Sequence, residues 1–461
     1  MSFFGSCRRS CRLSLFWLGQ LASLVGSGMT AFALSIWAYQ QTGSVTRFGW
    51  VLLAGTLPAA LLSPFAGAVV DRHNRRHVMM LCDLGSGLCT LSLMVLLSTR
   101  SLSLWHLYGF NAALSALGAF HWPAYSASIP LMVPRNRLGN INGIVQVSRG
   151  LAQLSAPAFG GVLLSLIGLR GILLVDVVTF LLGFSGLLLI RIPDVRTEVY
   201  EGLSHYGLKL WHDIREGWRY LARHSGLAWL MVLSASSNLL LGLMEVVVIP
   251  LGLELTSPAV MGTLMSVGGV GMLLGSATLS FWGCTRRHIM GVLTFDLITG
   301  LCVPLFGLMR IELLGVIIFI FFFSLPHMNG CAQAIIQRQV EHEMQGRVSA
   351  IGMTAVAGAL PLAYVMAGPL VEYVFDPLVN GGGGLAHATR ALVGPRAEQG
   401  SRLLLIVVGL LSIIKTVLLA TRPSLRQMEQ ALPESHEEAG GQPQPSQARP
   451  IREPREREGT S

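Results

Sequence analysis

The chain has 461 residues, of which 52% are hydrophobic and only 12% are charged. An ordinary soluble domain carries about 25% charged residues, so this composition, with a mean hydropathy of +0.58, excludes a set of soluble domains and predicts an integral membrane protein. The net charge of +9 does not indicate nucleic-acid binding, because the basic residues fall into separate short loops.

Twelve apolar runs occupy most of the chain, and a helix needs about 20 such residues to cross a membrane. They predict an all-α integral membrane protein with twelve transmembrane helices, a number that fits two bundles of six. The first run is too long for a cleaved signal peptide, so we expect it to remain as a helix. The runs cover 14–38, 48–70, 78–98, 102–128, 141–167, 171–190, 226–250, 258–282, 288–309, 311–335, 348–375 and 403–420.

Basic residues concentrate in alternate loops, which is the positive-inside pattern of membrane proteins. The pattern predicts a multi-pass membrane protein with both termini in the cytoplasm. The basic positions are Arg8, Arg9, Arg12, Arg72, Arg75, Arg76, Arg135, Arg137, Lys209, Arg215, Arg219, Arg223, Arg286 and Arg287.

The loop between the second and third runs has the spacing G-x-x-x-D-R-x-x-R-R. It resembles the loop between helices 2 and 3 of the major facilitator superfamily of transporters. The resemblance implies two pseudo-symmetric six-helix bundles around a central cavity. It also implies that Asp71 closes a cytoplasmic gate by meeting Arg347 and the N-terminus of helix 11, which we expect to begin after residues 343–347. The predicted gating residues are Gly67, Asp71, Arg72, Arg75, Arg76 and Arg347.

The third and ninth runs share the pattern D-L-x-x-G-L-C, which begins at Asp83 in one and at Asp296 in the other. Each copy follows a basic loop, so the chain consists of two halves with the same topology. Because both acids lie near the basic loops, we expect them to pair with the arginines of those loops. For Asp176, near the outer end of the sixth run, we also expect a structural role.

The runs and the polar stretches between them define the expected domain organisation. The stretch within 192–225 that mixes charged and aromatic residues is expected to lie along the membrane surface, and the tail is expected to be disordered. The segments are a cytoplasmic N-terminus at 1–12, an N-terminal bundle at 13–191, a cytoplasmic central loop at 192–225, a C-terminal bundle at 226–421 with a periplasmic loop at 377–401, and a cytoplasmic tail at 422–461.

Three more stretches resemble the export branch of the superfamily, which contains macrolide efflux proteins and enterobactin exporters. These stretches are 26–34 with 42–44, 133–140, and 216–221. The resemblance implies a secondary active transporter that exports amphipathic small molecules, such as a drug, a siderophore or a secondary metabolite, across the bacterial inner (plasma) membrane by proton-coupled antiport and alternating access. Two alternatives stay open: a lysophospholipid transporter of the same fold, and a membrane sensor or scaffold that transports nothing.

In this superfamily helices 1, 4, 7 and 10 line the cavity, so polar residues on the corresponding runs are candidates for substrate or proton binding. Glu245 is the strongest candidate for proton binding, because an ionisable residue inside a membrane is costly and is by default functional. It shares a helix face with Asn238. Arg149 is expected to pair with an acid or to contact an anionic ligand. The candidates are Ser27, Asn111, Trp122, Arg149, Asn238, Glu245 and His327.

The sequence has no nucleotide-binding loop of the G-x-x-x-x-G-K-[ST] type, so an ATP-driven pump is not supported. We expect no enzyme activity, no metal and no cofactor, with the proton gradient as the energy source. The expected partners are a small-molecule substrate, protons and membrane lipid, but no nucleic acid, and the protein is expected to be a monomer. Cysteines in the apolar runs are expected to behave as small hydrophobes: Cys82, Cys89, Cys302 and Cys331.

Overall fold

The computed structural model describes residues 2–132, 138–190, 215–284, 287–308, 311–381 and 399–425. Within these ranges the chain forms helices joined by short turns, and the all-α prediction is confirmed. Residues 426–461 of the predicted tail, most of the central loop and residues 382–398 of the periplasmic loop lie outside the described residues. The first tail residues, 422–425, pack on the C-terminal bundle, where Leu425 is 1% exposed, so the expectation of disorder was wrong for them. The described part of the central loop is a short helix at 215–223.

Within the described ranges, twelve long helices follow one another. Gly168 has φ 67° and ψ −179°, which interrupts an otherwise continuous helical stretch, Leu138–Leu189. A positive φ favours glycine, so Gly168 separates α5 (138–167) from α6 (169–189). The other helices are α1 Ser2–Thr42, α2 Val45–Arg72, α3 Arg75–Ser98, α4 Leu104–Met132, α7 Ser225–Leu255, α8 Pro258–Trp282, α9 His288–Leu308, α10 Ile311–Gln339, α11 His342–Pro369 and α12 Gln399–Ala420.

Three boundaries differ from the sequence prediction. The first helix starts at Ser2, so the predicted N-terminal segment continues α1. The eleventh starts at His342, so residues 343–347, which were expected to precede it, form its first turns. After α11 the chain continues as a π-helix, Leu370–Phe375, and an α-helical turn, Asp376–Asn380.

Ten segments of the described chain are long and apolar enough to cross a membrane. One of them spans most of α5 and α6 together, and α4 is not among them because polar residues such as Asn111 and His121 lower its hydropathy. The chain is therefore a multi-pass membrane protein.

The helices form two bundles, α1–α6 and α7–α12, which meet where α2 packs against α11 and α5 packs against α8. Glycines allow these helices to approach closely, as in other membrane proteins. A Cβ atom at Gly49 of α2 would lie 2.6 Å from the carbonyl oxygen of Tyr364, and one at Gly161 of α5 would lie 2.5 Å from that of Pro258.

These contacts lie toward one end of the molecule, which we call the contact face. It carries the α1–α2 turn at Gly43, the α5–α6 turn at Gly168 and the α7–α8 turn at Ser257. The opposite end, which carries the α2–α3 turn at residues 73–74, is called the basic face.

At the basic face, arginines of the predicted gating loop bind helix ends of their own bundle. Arg75 donates to the carbonyl oxygen of Ala127 in α4 at 2.8 Å. Arg76 donates to the carbonyl oxygens of Leu187 and Leu188, where α6 ends, at 3.3 and 2.8 Å. The last carbonyls of a helix have no partner within the helix, so Arg76 satisfies two acceptors at the end of α6.

Two further contacts tie elements to the C-terminal bundle. Leu221 of the short helix is 4% exposed and belongs to a core cluster with Leu227, while Trp218 is 65% exposed. The amphipathic segment therefore packs on the bundle through one face.

Cys331 forms a disulfide with Cys284. The prediction that Cys331 is a simple buried hydrophobe was therefore wrong, because α10 brings it to the turn after α8.

Candidate functional site

Glu245 lies on α7 beside the place where the two bundles meet. Its side chain is exposed although Met244 and Val246 on either side are buried. Tyr364, a buried residue of α11, donates its hydroxyl hydrogen to Glu245 Oε2 at 2.7 Å. Since the carbonyl oxygen of Tyr364 also faces Gly49 of α2, this acid stands next to the contact between the bundles.

About two turns of helix away, the other predicted residue of α7 lines a cavity. The cavity has a volume of about 70 Å³ and lies between α7, α9, α10 and α12. The Asn238 amide lines it and donates to the carbonyl oxygen of Ser234 in its own helix at 2.9 Å. The polar lining consists of Ser237, Asn238, Asp296, Thr299, Asn329 and Ser412.

Asp296, which lines the same cavity, forms an ion pair with the partly buried Lys415. Asp296 is 1% exposed, and Lys415 Nζ lies 3.1 Å from its Oδ2 and 3.1 Å from its Oδ1. Ser237 donates to Asp296 Oδ1 at 2.6 Å and lies 2.6 Å from Lys415 Nζ. Thr416 also donates to this carboxylate. The expectation that Asp296 pairs with a loop arginine was wrong, because α12 supplies a closer cation from inside the bundle.

In the N-terminal bundle the repeated acid also differs from its prediction. His121 Nε2 of α4 lies 3.0 Å from Asp83 Oδ1, so a histidine, and not an arginine of the basic loop, pairs with this acid. The ring of His121 stacks on that of Tyr125, and the neighbouring Trp122 ring also contacts Tyr125. Trp122 is 38% exposed.

Ser27 is placed on α1 as predicted, and its hydroxyl is directed to α6. It donates to Asp176 Oδ1 at 3.1 Å, while Thr90 of α3 donates to Oδ2 at 3.1 Å. The carboxylate is 3% exposed, so Asp176 joins three helices of one bundle, which supports the structural role that we expected for it.

Asn111 and His327 pack within their own bundles. Asn111 donates to the carbonyl oxygen of Leu107 at 3.0 Å and faces Gly55 of α2. The ring nitrogens of His327 lie 3.1 Å from the Phe323 carbonyl oxygen and 3.2 Å from Thr278 Oγ1. The structure therefore places His327 among α8, α9 and α10, where its role in binding stays a prediction.

For several predicted residues the structure describes less. Gly67 lies in α2 beside open space, and Arg72 is exposed. The side chains of Asp71, Arg149 and Arg347 lie outside the described part of the structure. The predicted latch between Asp71 and α11 stays a prediction.

Sequence reasoning missed two residues of this region. Lys415 was visible as a charged residue inside the last apolar run, and intramembrane charge is the signal that singled out Glu245. Tyr364 left no such signal, because a tyrosine in an apolar run is ordinary. Its function as a hydrogen-bond donor depends on which acid packs against it.

The comparison with known sequences agrees with these observations. The sequence profile described as Major Facilitator Superfamily matches residues 16–363. Macrolide efflux protein A of Streptococcus pyogenes is 25% identical over 365 residues, which cover 76% of this chain and 87% of that protein. Multidrug efflux pump Tap of Mycolicibacterium fortuitum is 26% identical over 370 residues, 78% of this chain and 89% of that protein.

Solved structures show the same fold at lower identity. A bacterial homologue of the human lysosomal transporter Spinster, inward-facing and unoccupied, matches with a TM-score of 0.67 at 16% identity, covering 92% of this chain and 97% of its own. A POT family transporter in complex with 5-aminolevulinic acid has a TM-score of 0.68 at 12% identity, with coverage of 88% and 95%. Since the profile covers more than half of the sequence, the chain belongs to the Major Facilitator Superfamily.

Proposed function

We propose that the protein exports amphipathic small molecules across the bacterial inner membrane in exchange for protons. The printed names of its relatives, a macrolide efflux protein and a multidrug efflux pump, support efflux as the class of activity. The single observation that carries the mechanism is Glu245, an accessible acid on α7 within hydrogen-bonding distance of Tyr364 on α11.

An accessible carboxyl group between two bundles is suited to bind either a proton or a cationic substrate. Charge inside a membrane is costly unless it is paired or hydrated, so such residues mark ion or substrate pathways. Competition of proton and substrate for Glu245 would couple proton entry to substrate exit, because only one of them occupies the site at a time. Each ligand shifts the balance between the inward-open and outward-open states by the difference in its affinity for them.

The contacts between the bundles support alternating access as the mode of transport. They lie toward the contact face, where α2 meets α11 and α5 meets α8 through glycines and small residues. We propose that the bundles rock about this interface, which opens the two faces in turn.

Purified protein in proteoliposomes with an imposed pH gradient tests this function. The probes are a radiolabelled macrolide and a cationic dye, and Glu245→Gln is the variant because it keeps size and hydrogen bonding but cannot bind and release a proton. We expect gradient-driven transport to fall to the rate without a gradient, while the purified protein still binds the dye with a lower affinity, because the amide carries no negative charge.

Glu254→Gln is the matched control, since it makes the same change on the same helix near the contact face, where Tyr39 contacts it at 3.4 Å. We expect this control to retain gradient-driven transport. Uptake of lysophospholipid in place of both probes would support the lipid transporter instead. Absence of transport for all probes, in protein that is folded and correctly inserted, would support a sensor or scaffold and overturn the proposal.

A further inference from the structure

The Asp296–Lys415 pair occupies an unusual position for two charges. It lies inside the C-terminal bundle, with the carboxylate on α9 and the ammonium group on α12. Replacing a buried ion pair by apolar residues is often neutral or even stabilising for a protein. Stability alone therefore does not account for a charged pair at this place.

Asp296 lines a cavity that has polar side chains among its apolar walls. The cavity of about 70 Å³ borders Asp296 and Ser237 directly, and a water molecule needs only about 10–15 Å³ of such volume with two to four polar partners. The amides of Asn238 and Asn329 line the same space, and Asn329 is exposed. The cavity is large enough for water, and its polar side chains are the partners that water there would have. Such water would connect Asp296 with the exposed side of α10.

We propose that Asp296 and Lys415 form a second proton-binding site, in addition to Glu245, which takes its proton from water in this cavity. The inference rests on the proposed proton-driven exchange. A proton from a hydronium ion binds a carboxylate oxygen of Asp296, and the ammonium group keeps its charge. The net charge of the pair changes from zero to plus one, and release of the proton to water reverses the step.

Protonation changes the packing of α12 through its lysine. Lysine carries a compact charge on a flexible four-carbon stem, so Lys415 is free to leave a neutral Asp296 and turn toward the cavity. Of the described groups around the acid, Lys415 is the ionisable one. The polar groups in contact with Asp296 or lining the cavity beside it are Ser237 and Asn238 from α7, Thr299 from α9, Asn329 from α10, and Ser412, Lys415 and Thr416 from α12.

The other half of the chain offers a comparison. Its repeated acid, Asp83, pairs with His121 of α4. In the C-terminal bundle, the equivalent acid Asp296 pairs instead with a lysine of the bundle's last helix. The double variant Asp83→Asn/His121→Gln is therefore the matched control for changes at the Asp296–Lys415 pair.

The test uses the double variant Asp296→Asn/Lys415→Gln in the full chain. Each single change would leave one buried charge without its partner and lower the amount of folded protein, whereas the double change removes both charges. The first measurement is an infrared difference spectrum of the purified protein between low and high pH. We expect the double variant to lose a carboxylic-acid band that wild type and the control variant retain.

The second measurement is transport in proteoliposomes. We expect the double variant still to exchange labelled for unlabelled macrolide. Its accumulation of macrolide under a pH gradient should be at least tenfold lower than that of wild type. An unchanged infrared spectrum together with full gradient-driven accumulation would make the pair purely structural and overturn the proposal. If wild type itself shows no gradient-driven transport, the proposed exchange fails, while the infrared result still decides whether Asp296 binds a proton.

Discussion

The contact between Tyr364 and Glu245 shows how one hydroxyl group determines the surroundings of an intramembrane acid. The tyrosine ring is buried and its oxygen lies 2.7 Å from the carboxylate. A hydrogen bond to a charged group contributes about 1.5–3 kcal/mol to stability. The hydroxyl therefore holds the Glu245 side chain in one orientation between α7 and α11.

Tyr364→Phe removes this hydrogen bond and leaves the ring packing in place. We expect a lower melting temperature in detergent, with the loss in unfolding free energy at about 1.5–3 kcal/mol. Tyr108→Phe is the control, because the Tyr108 hydroxyl makes an exposed contact of 3.4 Å with the Arg47 carbonyl oxygen. Equal losses in the two variants would show that the Tyr364 hydroxyl makes no special contribution.

At the same scale, the repeated acids explain where sequence reasoning failed. Asp83 and Asp296 lie near basic loops along the chain, which suggested arginine partners. In the structure Arg75 and Arg76 donate to helix carbonyl oxygens, and the acids point into their bundles. Proximity in sequence showed that each acid follows a basic loop. It could not show which side of the helix the acid's side chain faces.

At the scale of the helices, Glu372 in the π-helix after α11 is hydrogen-bonded to the start of α2 at the contact face. We call these hydrogen bonds the polar lock. Glu372 Oε1 accepts hydrogen bonds from the Ser44 hydroxyl at 2.7 Å and from the backbone N–H of Thr46 at 3.2 Å. Ser44 is the N-cap residue of α2, and a carboxylate is stabilised by the partial positive charge at a helix N-terminus. This lock joins the two bundles, as Asp71 was predicted to do at the basic face.

Glu372→Gln weakens the lock, because the neutral amide loses its attraction to the helix terminus. We expect the equilibrium between bundles in contact and bundles separated at the contact face to shift toward separation by about 1–2 kcal/mol, or roughly 5–30-fold. Spin labels at Arg47→Cys and Tyr373→Cys, two exposed positions, in a background without the native cysteines, would report a longer distance.

Ser44→Ala and the double variant complete a cycle that isolates the contact. We expect the effects of the two single changes to be non-additive, since they remove the same interaction. Additive effects, or an unchanged distance in Glu372→Gln, would show that glycine packing alone holds α2 against α11.

For the whole molecule, the sequence predicts which face is cytoplasmic. The alternating basic loops place the basic face inside and the contact face outside. In a background without native cysteines, a membrane-impermeant thiol reagent added from outside should label Ser101→Cys in the α3–α4 turn and Gly382→Cys. It should not label His77→Cys near the basic face, except in permeabilised cells. Labelling of His77→Cys alone from outside would invert the assignment.

Much of the fold was predictable because hydropathy and periodicity are local properties of the chain. The twelve apolar runs correspond to twelve helices, and the break between the fifth and sixth runs coincides with Gly168. The positions of Asn238 and Glu245 on one side of α7 follow from helical spacing alone. The neighbours of these side chains depend on other helices and were not predictable in the same way.

The sequence by itself determined that this chain crosses the membrane many times in two related halves and carries an acid in its seventh helix, since each of these features lies within a short stretch. Only the tertiary structure decided which partners the charged groups have. Lys415 is 119 residues from Asp296, and Ser44 is 328 residues from Glu372. Such pairs depend on how twelve helices of similar composition pack, and no local pattern of residues specifies that arrangement.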